Sequence, residues 1–85
     1  MKLYVRLFAN LSEAVGQDVL EVKVPDGTRV DGLLDQLARQ HAPLRNLLGS
    51  GGNAIRVAVN LEFAPRDRPL REGDEIGLIP PVGGG

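Results

Sequence analysis

Apolar and polar residues alternate along two stretches near the start of the chain. In residues 2–8, one side of the alternation consists of Leu3, Val5 and Leu7. The second stretch, residues 19–24, places Leu20, Val22 and Val24 on one side. A period of two is typical of a strand with one buried face. We predict an antiparallel pair of strands, joined by a connection with room for one helical turn.

A different spacing follows the turn at residues 25–28. Apolar residues recur there at intervals of three and four, as on one face of a helix: Val30, Leu33, Leu34, Leu37 and Ala38. Thr28 is expected to cap the helix, with Asp31 in the capping-box position. Pro43 disfavours helical geometry in the residue before it, so the helix should end by residue 42. A short second helix closed by Gly49 is predicted next.

The C-terminal half predicts two further strands and a short third one near residues 61–64. Residues 54–60 alternate, with Ile55, Val57 and Val59 on one face. Residues 75–80 are almost continuously apolar, which suits a central strand beside the first. The prediction is an α+β domain over residues 1–80, with one main helix on one face of a mixed sheet of four to five strands. Right-handed crossover makes the ubiquitin-like β-grasp the leading topology.

Composition narrows the classes of function. The chain has 85 residues, a net charge of −1 and three aromatic residues, so it lacks the basic field and stacking platform of a nucleic-acid-binding protein. The chain has no cysteine, which excludes a thiol nucleophile and thiolate metal ligands. It also contains no stretch of membrane-spanning length and no signal-peptide pattern. We therefore expect a cytoplasmic protein with neither nucleic-acid nor membrane partners.

Internal side chains predict no convincing active site. His41 is the single histidine, and no nucleophile stands near it in the sequence. The carboxylates are spread along the chain without metal-ligand spacing. The glycines of residues 50–53 lack the Gly-Lys-Ser/Thr continuation of a phosphate-binding loop. Catalysis by His41 and nucleotide binding at this loop are therefore weakly supported, and no metal site is predicted.

The last residues, "IPPVGGG", are unusual for a strand end. Pro80 and Pro81 stiffen the chain, and three residues without side chains follow Val82. Glycine lets a backbone enter a channel that a Cβ would block. A carboxylate on Gly85 could be activated by ATP and then accept sulfur or an amine. The alternative is a frayed terminus, and composition leaves both interpretations open.

Three segments resemble the small subunit of molybdopterin synthase, one of the ubiquitin-like sulfur carriers: "LFANLSEAVG", "VAVN" and "PLREGDEIGLIPPVGGG". The resemblance covers the whole chain in order, although the middle helix matches only in pattern. It implies that an ATP-dependent, E1-like enzyme adenylates Gly85 and that a sulfur donor protein converts it to a thiocarboxylate. These two transient forms take the place of a permanently bound cofactor.

The resemblance also implies a role for residues 81–85, which we expect to form a flexible Gly-Gly tail. Pro81, Val82, Gly83 and Gly84 would lead Gly85 into the large synthase subunit, which builds the dithiolene of molybdopterin. Two small and two large subunits would form the enzyme, and this chain alone would not be catalytic. Many family members carry a small polar residue where this chain has Gly83.

The family docks through an apolar patch, which the matching motifs place at Phe8, Phe63 and Ile79. Odd- and even-numbered residues of a strand face opposite sides of the sheet, so the parity of a residue number indicates its face. Phe8 and Ile79 have the opposite parity from the predicted core residues of their strands, as exposed residues should. Phe63 shares the parity of Val57 and Val59, so a core position is the alternative unless a bulge intervenes.

Three other functions stay open at this point. The chain could carry sulfur for cysteine synthesis, tRNA thiolation or thiamine synthesis, although thiamine carriers tend to be shorter and lack the opening motif. It could be a ubiquitin-like modifier that joins Gly85 to a lysine. It could also be a non-catalytic β-grasp interaction module with an inert tail.

Overall fold

Five strands and three helices make up the part of the chain that the computed structural model describes, residues 1–48 and 55–80. In chain order they are β1 (Lys2–Leu7), α1 (Asn10–Val15), β2 (Val19–Lys23), α2 (Val30–Gln40), α3 (Ala42–Leu48), β3 (Arg56–Val59), β4 (Glu62–Phe63) and β5 (Glu75–Ile79). None of these helices is long and apolar enough to cross a membrane.

The five strands form one mixed sheet in the order β2-β1-β5-β3-β4. The first and last strands pair in parallel, with Val5 opposite Ile76 and Leu7 opposite Leu78. The other neighbouring pairs are antiparallel. The predicted central position of the last strand is confirmed. With α2 as the main helix, this α+β arrangement is the predicted ubiquitin-like β-grasp.

One face of the sheet forms the core with α2. The predicted strand residues Leu3, Val5 and Leu7 are buried, and so is the helical stripe except for Ala38, which is half-buried. Leu33 and Leu37 are completely inaccessible to solvent. Full burial of one such side chain contributes roughly 1.5–3 kcal/mol to stability. The alternating and helical patterns therefore identified the core correctly.

The predicted side-chain cap of α2 is wrong. The N-cap residue is Arg29, and no side chain caps the helix. The Thr28 hydroxyl instead donates to the Pro25 carbonyl at 2.6 Å, inside the preceding turn. The Asp31 carboxylate accepts from the N–H of Gly32 at 2.7 Å rather than reaching back to the cap.

Main-chain carbonyls from a distant segment take the place of that cap. The N–H of Val30 donates to the Arg68 carbonyl at 3.0 Å, and the N–H of Asp31 donates to the Arg66 carbonyl at 2.8 Å. These bonds satisfy two of the free donors that every helix start presents. The segment between β4 and β5 therefore fixes the start of α2, a contact that no local motif could predict.

The end of α2 agrees with the prediction. The helix ends at Gln40, and His41 is its C-cap, with its N–H donating to the Leu37 carbonyl. The His41 carbonyl then accepts from Leu44 at 2.9 Å. The predicted short second helix is α3, which begins at Ala42. Pro43 therefore lies in its first turn, where the missing N–H of proline does no harm. Gly49 and the glycine loop lie outside the described residues.

We predict that Leu33→Ala lowers the free energy of unfolding by about 2–5 kcal/mol, because it leaves a cavity between α2 and the sheet. Urea denaturation measures the change. Asp35→Ala is the matched control on the exposed face of α2. It removes an exposed ion pair to Arg39 at 2.8 Å and should alter stability by about 0.5 kcal/mol or less. Equal losses in the two variants would contradict this packing.

Candidate functional site

The outer face of the sheet, opposite the core, has a floor of very small residues. Ala58 of β3 is paired with Gly77 of β5 on one side and with Phe63 of β4 on the other. Gly77 is also paired with Arg6 of β1. Residues in register share a face of the sheet. These four therefore form one row, with the two smallest in its centre.

Four large apolar side chains surround that floor: Phe8, Leu61, Phe63 and Ile79. Together with Ala58 and Gly77 they line a groove of about 200 Å³, called the outer-face groove below. Phe8 is 43% exposed and Phe63 is 64% exposed, while Ile79 is half-buried. Apolar groups that are grouped in this way on a surface are typical of a protein-binding site.

All three residues of the predicted apolar patch thus lie together in the outer-face groove. The core alternative for Phe63 is wrong, because a two-residue turn reverses the chain before β4. Val59 pairs with Glu62 across that turn, so Phe63 comes opposite Ala58 and shares its outward face. Counting odd and even positions from Val57 to Phe63 gave the wrong face for Phe63, because the count treated β3 and β4 as one continuous strand.

Gly77 lies beside the ring of Phe8 on the floor of the groove. A methyl group there would lie 3.4 Å from Phe8 Cε2 and 3.9 Å from Ala58 Cβ, both ordinary contact distances. A larger side chain would occupy the floor of the groove. The shape of the groove therefore depends on small residues in two adjacent strands.

Charged groups border the groove. The Arg56 guanidinium lies 4.6 Å from the centre of the Phe63 ring, a cation–π contact that holds the ring on the outer face. Arg6 Nε lies 3.9 Å from Glu75 Oε1, and both side chains are about half exposed. Such a pair adds little to stability, but it makes the rim polar around an apolar floor.

Farther along the same face, Lys2 Nζ lies 2.9 Å from Glu21 Oε1. The hydrogen bond to this carboxylate, and then its charge, raise the pKa of Lys2 above the ordinary value. Lysine is ordinarily protonated at neutral pH, and the raised pKa favours that charged form further. Within residues 1–48 and 55–80, no three histidine or acidic side chains are grouped to hold a metal ion. His41 is not among the groove residues.

Asn60 fixes the β3–β4 turn against the start of β5. Its side-chain Nδ2 donates to Asp74 Oδ1 at 2.9 Å, and its Oδ1 accepts from the N–H of Glu75 at 3.0 Å. The N–H of Asn60 also donates to the Glu75 carbonyl at 2.8 Å. Both turn residues have positive φ, 51° for Asn60 and 72° for Leu61, which defines the tight type I′ turn of two-residue hairpins.

The predicted tail residues, Pro81 to Gly85, lie outside the described residues. Ile79 of the groove ends β5, and Pro80 is the last described residue before the tail. The tail segment therefore starts beside the outer-face groove.

Sequence reasoning missed several groove residues. Gly77 lies two residues before Ile79 and so faces the same side of the sheet. A glycine has no apolar side chain, however, and gave no sign of a binding surface. Leu61 gave no signal either, because the residues Asn-Leu do not mark a turn as Asn-Gly does.

Comparison with known proteins identifies the family. Residues 5–85 match the model of the ThiS family. The chain belongs to the ThiS family. It is 36% identical to the molybdopterin synthase sulfur carrier subunit of Mycobacterium tuberculosis, over 100% of this chain and 99% of that protein. The resemblance noted in the sequence motifs is thus confirmed.

Solved structures of other proteins have the same fold as this chain. The crystal structure of SAMP1 from Haloferax volcanii matches this ThiS-family chain with a TM-score of 0.89 and 34% identity, covering 100% of both chains. A chain in the complex of subunits 1 and 2 of molybdopterin-converting factor from Helicobacter pylori matches with a TM-score of 0.69 and 27% identity, again over 100% of both chains.

We predict that Asn60→Ala lowers the free energy of unfolding by about 1–3 kcal/mol, because it removes the bonds to Asp74 and Glu75 and places a Cβ-bearing residue without them at positive φ. Asn60→Gly is the matched control, since glycine tolerates that φ and loses only the side-chain bonds. It should cost less, about 1 kcal/mol. Thermal unfolding of both variants checks this. Unchanged stability of Asn60→Ala would contradict the role of Asn60 in holding the β3–β4 turn against β5.

Proposed function

We propose that this chain is the sulfur-carrier subunit of molybdopterin synthase. The main support is the match to the ThiS family over residues 5–85, with full-length similarity to a protein of that name. The outer-face groove supports it further, since its apolar side chains lie where the tail segment starts.

The proposed chemistry takes place at the carboxylate of Gly85. An oxygen of that carboxylate attacks the α-phosphate of ATP, and pyrophosphate leaves. Hydrosulfide released by a donor protein then adds to the acyl carbon. AMP leaves with the electron pair of the C–O bond, and loss of the proton gives the thiocarboxylate. Since the chain has no cysteine, its own side chains offer no competing thiol. Three glycines allow the adenylating enzyme and the sulfur donor protein to approach the acyl carbon closely.

The proposed partner of the groove is the large synthase subunit. Residues 81–85, fully extended, span at most about 17 Å. A partner that receives Gly85 in its active site must therefore approach Pro80 closely. Ile79 lies next to that point, with Phe8 and Phe63 in the same groove. The two-subunit complex from Helicobacter pylori supports a protein partner of this kind.

A second function is favoured by one observation. This chain is 36% identical to small archaeal modifier protein 1 of Haloferax volcanii over 94% of its length. The crystal structure of SAMP1 from that organism matches the chain over its whole length. A modifier uses the same adenylate, but an amine displaces AMP and an amide forms. The two functions differ only in the nucleophile, so the products distinguish them.

The proposed function is tested by reconstitution with the large subunit, an adenylating enzyme, ATP, a sulfur donor and the cyclic pterin precursor. We predict that the natural chain supports dithiolene formation, whereas an added alanine after Gly85 abolishes it. The added residue moves the carboxylate away from the position that both enzymes require. Removal of Gly85 should have the same effect. Product formation is measured by chromatography of the oxidised pterin.

Gly83→Ser is the matched control in the tail and should remain active, because many family members carry a small polar residue there. Binding of the Gly85-deleted chain to the large subunit should persist through the intact groove. Activity of the extended chain without trimming would overturn the proposed function. Catalytic turnover by the chain alone would also overturn it.

A further inference from the structure

Leu61 combines two unfavourable features in one exposed position. Its backbone lies at φ 72°, a region that L side chains rarely adopt. Its side chain is 90% exposed, the highest value among the large apolar residues exposed in the described part of the chain. The side chain therefore adds almost nothing to the core, while its backbone is strained. The fold itself gives no reason for a leucine here.

Turn chemistry favours a different residue. The second position of a type I′ hairpin strongly favours glycine, and Asn-Gly is the most favourable pair for such a turn. Asn60 occupies the first position, as this preference predicts, but Leu61 occupies the second. Residues kept in disfavoured backbone regions are concentrated at functional sites. Strain and exposure together therefore indicate an interaction outside this chain.

The position of Leu61 shows where that interaction takes place. Leu61 lines the outer-face groove together with Phe63, at the end of the sheet formed by β3 and β4. The Asn60 side chain holds the turn to β5 through Asp74 and the N–H of Glu75. Leu61 is thus presented on a rigid support before any partner arrives. Pre-formed apolar groups bind with a smaller entropic cost than mobile ones.

We propose that Leu61 is a strained, pre-formed anchor for the large subunit of molybdopterin synthase, which accepts its side chain in an apolar pocket. This inference rests on the proposed function. The segment after Pro80 has only five residues. The protein that receives Gly85 must therefore cover the groove next to Ile79. An apolar surface that is formed in advance suits a lasting subunit contact better than a brief encounter with an adenylating enzyme.

Two substitutions at one site separate strain from binding. Leu61→Gly removes both the strain and the apolar group, and Leu61→Ala removes the apolar group but keeps a Cβ at positive φ. Val19→Ala is the matched control, because Val19 is 45% exposed in β2, at the opposite edge of the sheet. Affinity for the purified large subunit is measured by calorimetry, and unfolding of the isolated chain is measured by thermal denaturation.

We expect Leu61→Gly and Leu61→Ala each to weaken binding about tenfold or more, as for a buried anchor. Leu61→Gly should raise the melting temperature by about 2–5 °C. Relief of the backbone strain stabilises the folded state, and the greater freedom of glycine in the unfolded chain offsets only part of that gain. Leu61→Ala should leave it nearly unchanged. Val19→Ala should alter neither property.

Unchanged affinity in both Leu61 variants, with the natural chain binding well and supporting dithiolene formation, would overturn this inference and leave the proposed function intact. Slower adenylation with unchanged affinity for the large subunit would also overturn it, because the adenylating enzyme would then be the occupant. Self-association of the natural chain that Leu61→Ala abolishes would assign the anchor to a second copy. Failure of the natural chain to bind the large subunit would overturn both proposals.

Discussion

Parallel pairing of the first and last strands is the constraint on which the rest of the structure depends. Because β1 and β5 run side by side with Leu7 opposite Leu78, the residues that follow them, Phe8 and Ile79, end up at the same edge of the sheet. The tail segment starts at that edge. The same pairing buries Ile76 and Leu78 on the opposite face. One register therefore fixes the core, the groove and the position of Pro80, the last described residue before the tail segment.

Long-range contacts complete this arrangement where local sequence does not. Main-chain carbonyls of the segment between β4 and β5 accept hydrogen bonds from the first turn of α2, and the side chain of Asn60 connects the β3–β4 turn to the start of β5. The first contact holds the start of α2 on that segment, and the second holds the β3–β4 turn against the start of β5. Stability therefore resides in the buried face and its connections, whereas the outer face carries exposed aromatic groups and a turn with two residues at positive φ.

The sequence predicted the features that have a strong period and missed those that depend on pairing. Alternation and helical spacing located the core, a nearly continuous apolar run located the central strand, and Pro43 marked the end of α2 correctly. The cap of α2 was mispredicted because Thr28 satisfies a nearer carbonyl in its own turn. Phe63 was ambiguous because a leucine replaces the glycine that usually marks a type I′ turn, and Leu61 was missed for the same reason. Parity can be counted only within one strand.

The central claim, that Gly85 carries sulfur, is tested most directly by the intact mass of the chain after incubation with ATP, an adenylating enzyme and a sulfur donor. The account predicts a mass gain equal to the exchange of one oxygen for sulfur, located at Gly85 by fragmentation. An unchanged mass with every adenylating enzyme of the source organism would contradict it. A gain found only as an amide link to a lysine of another protein would also contradict it and would favour the modifier.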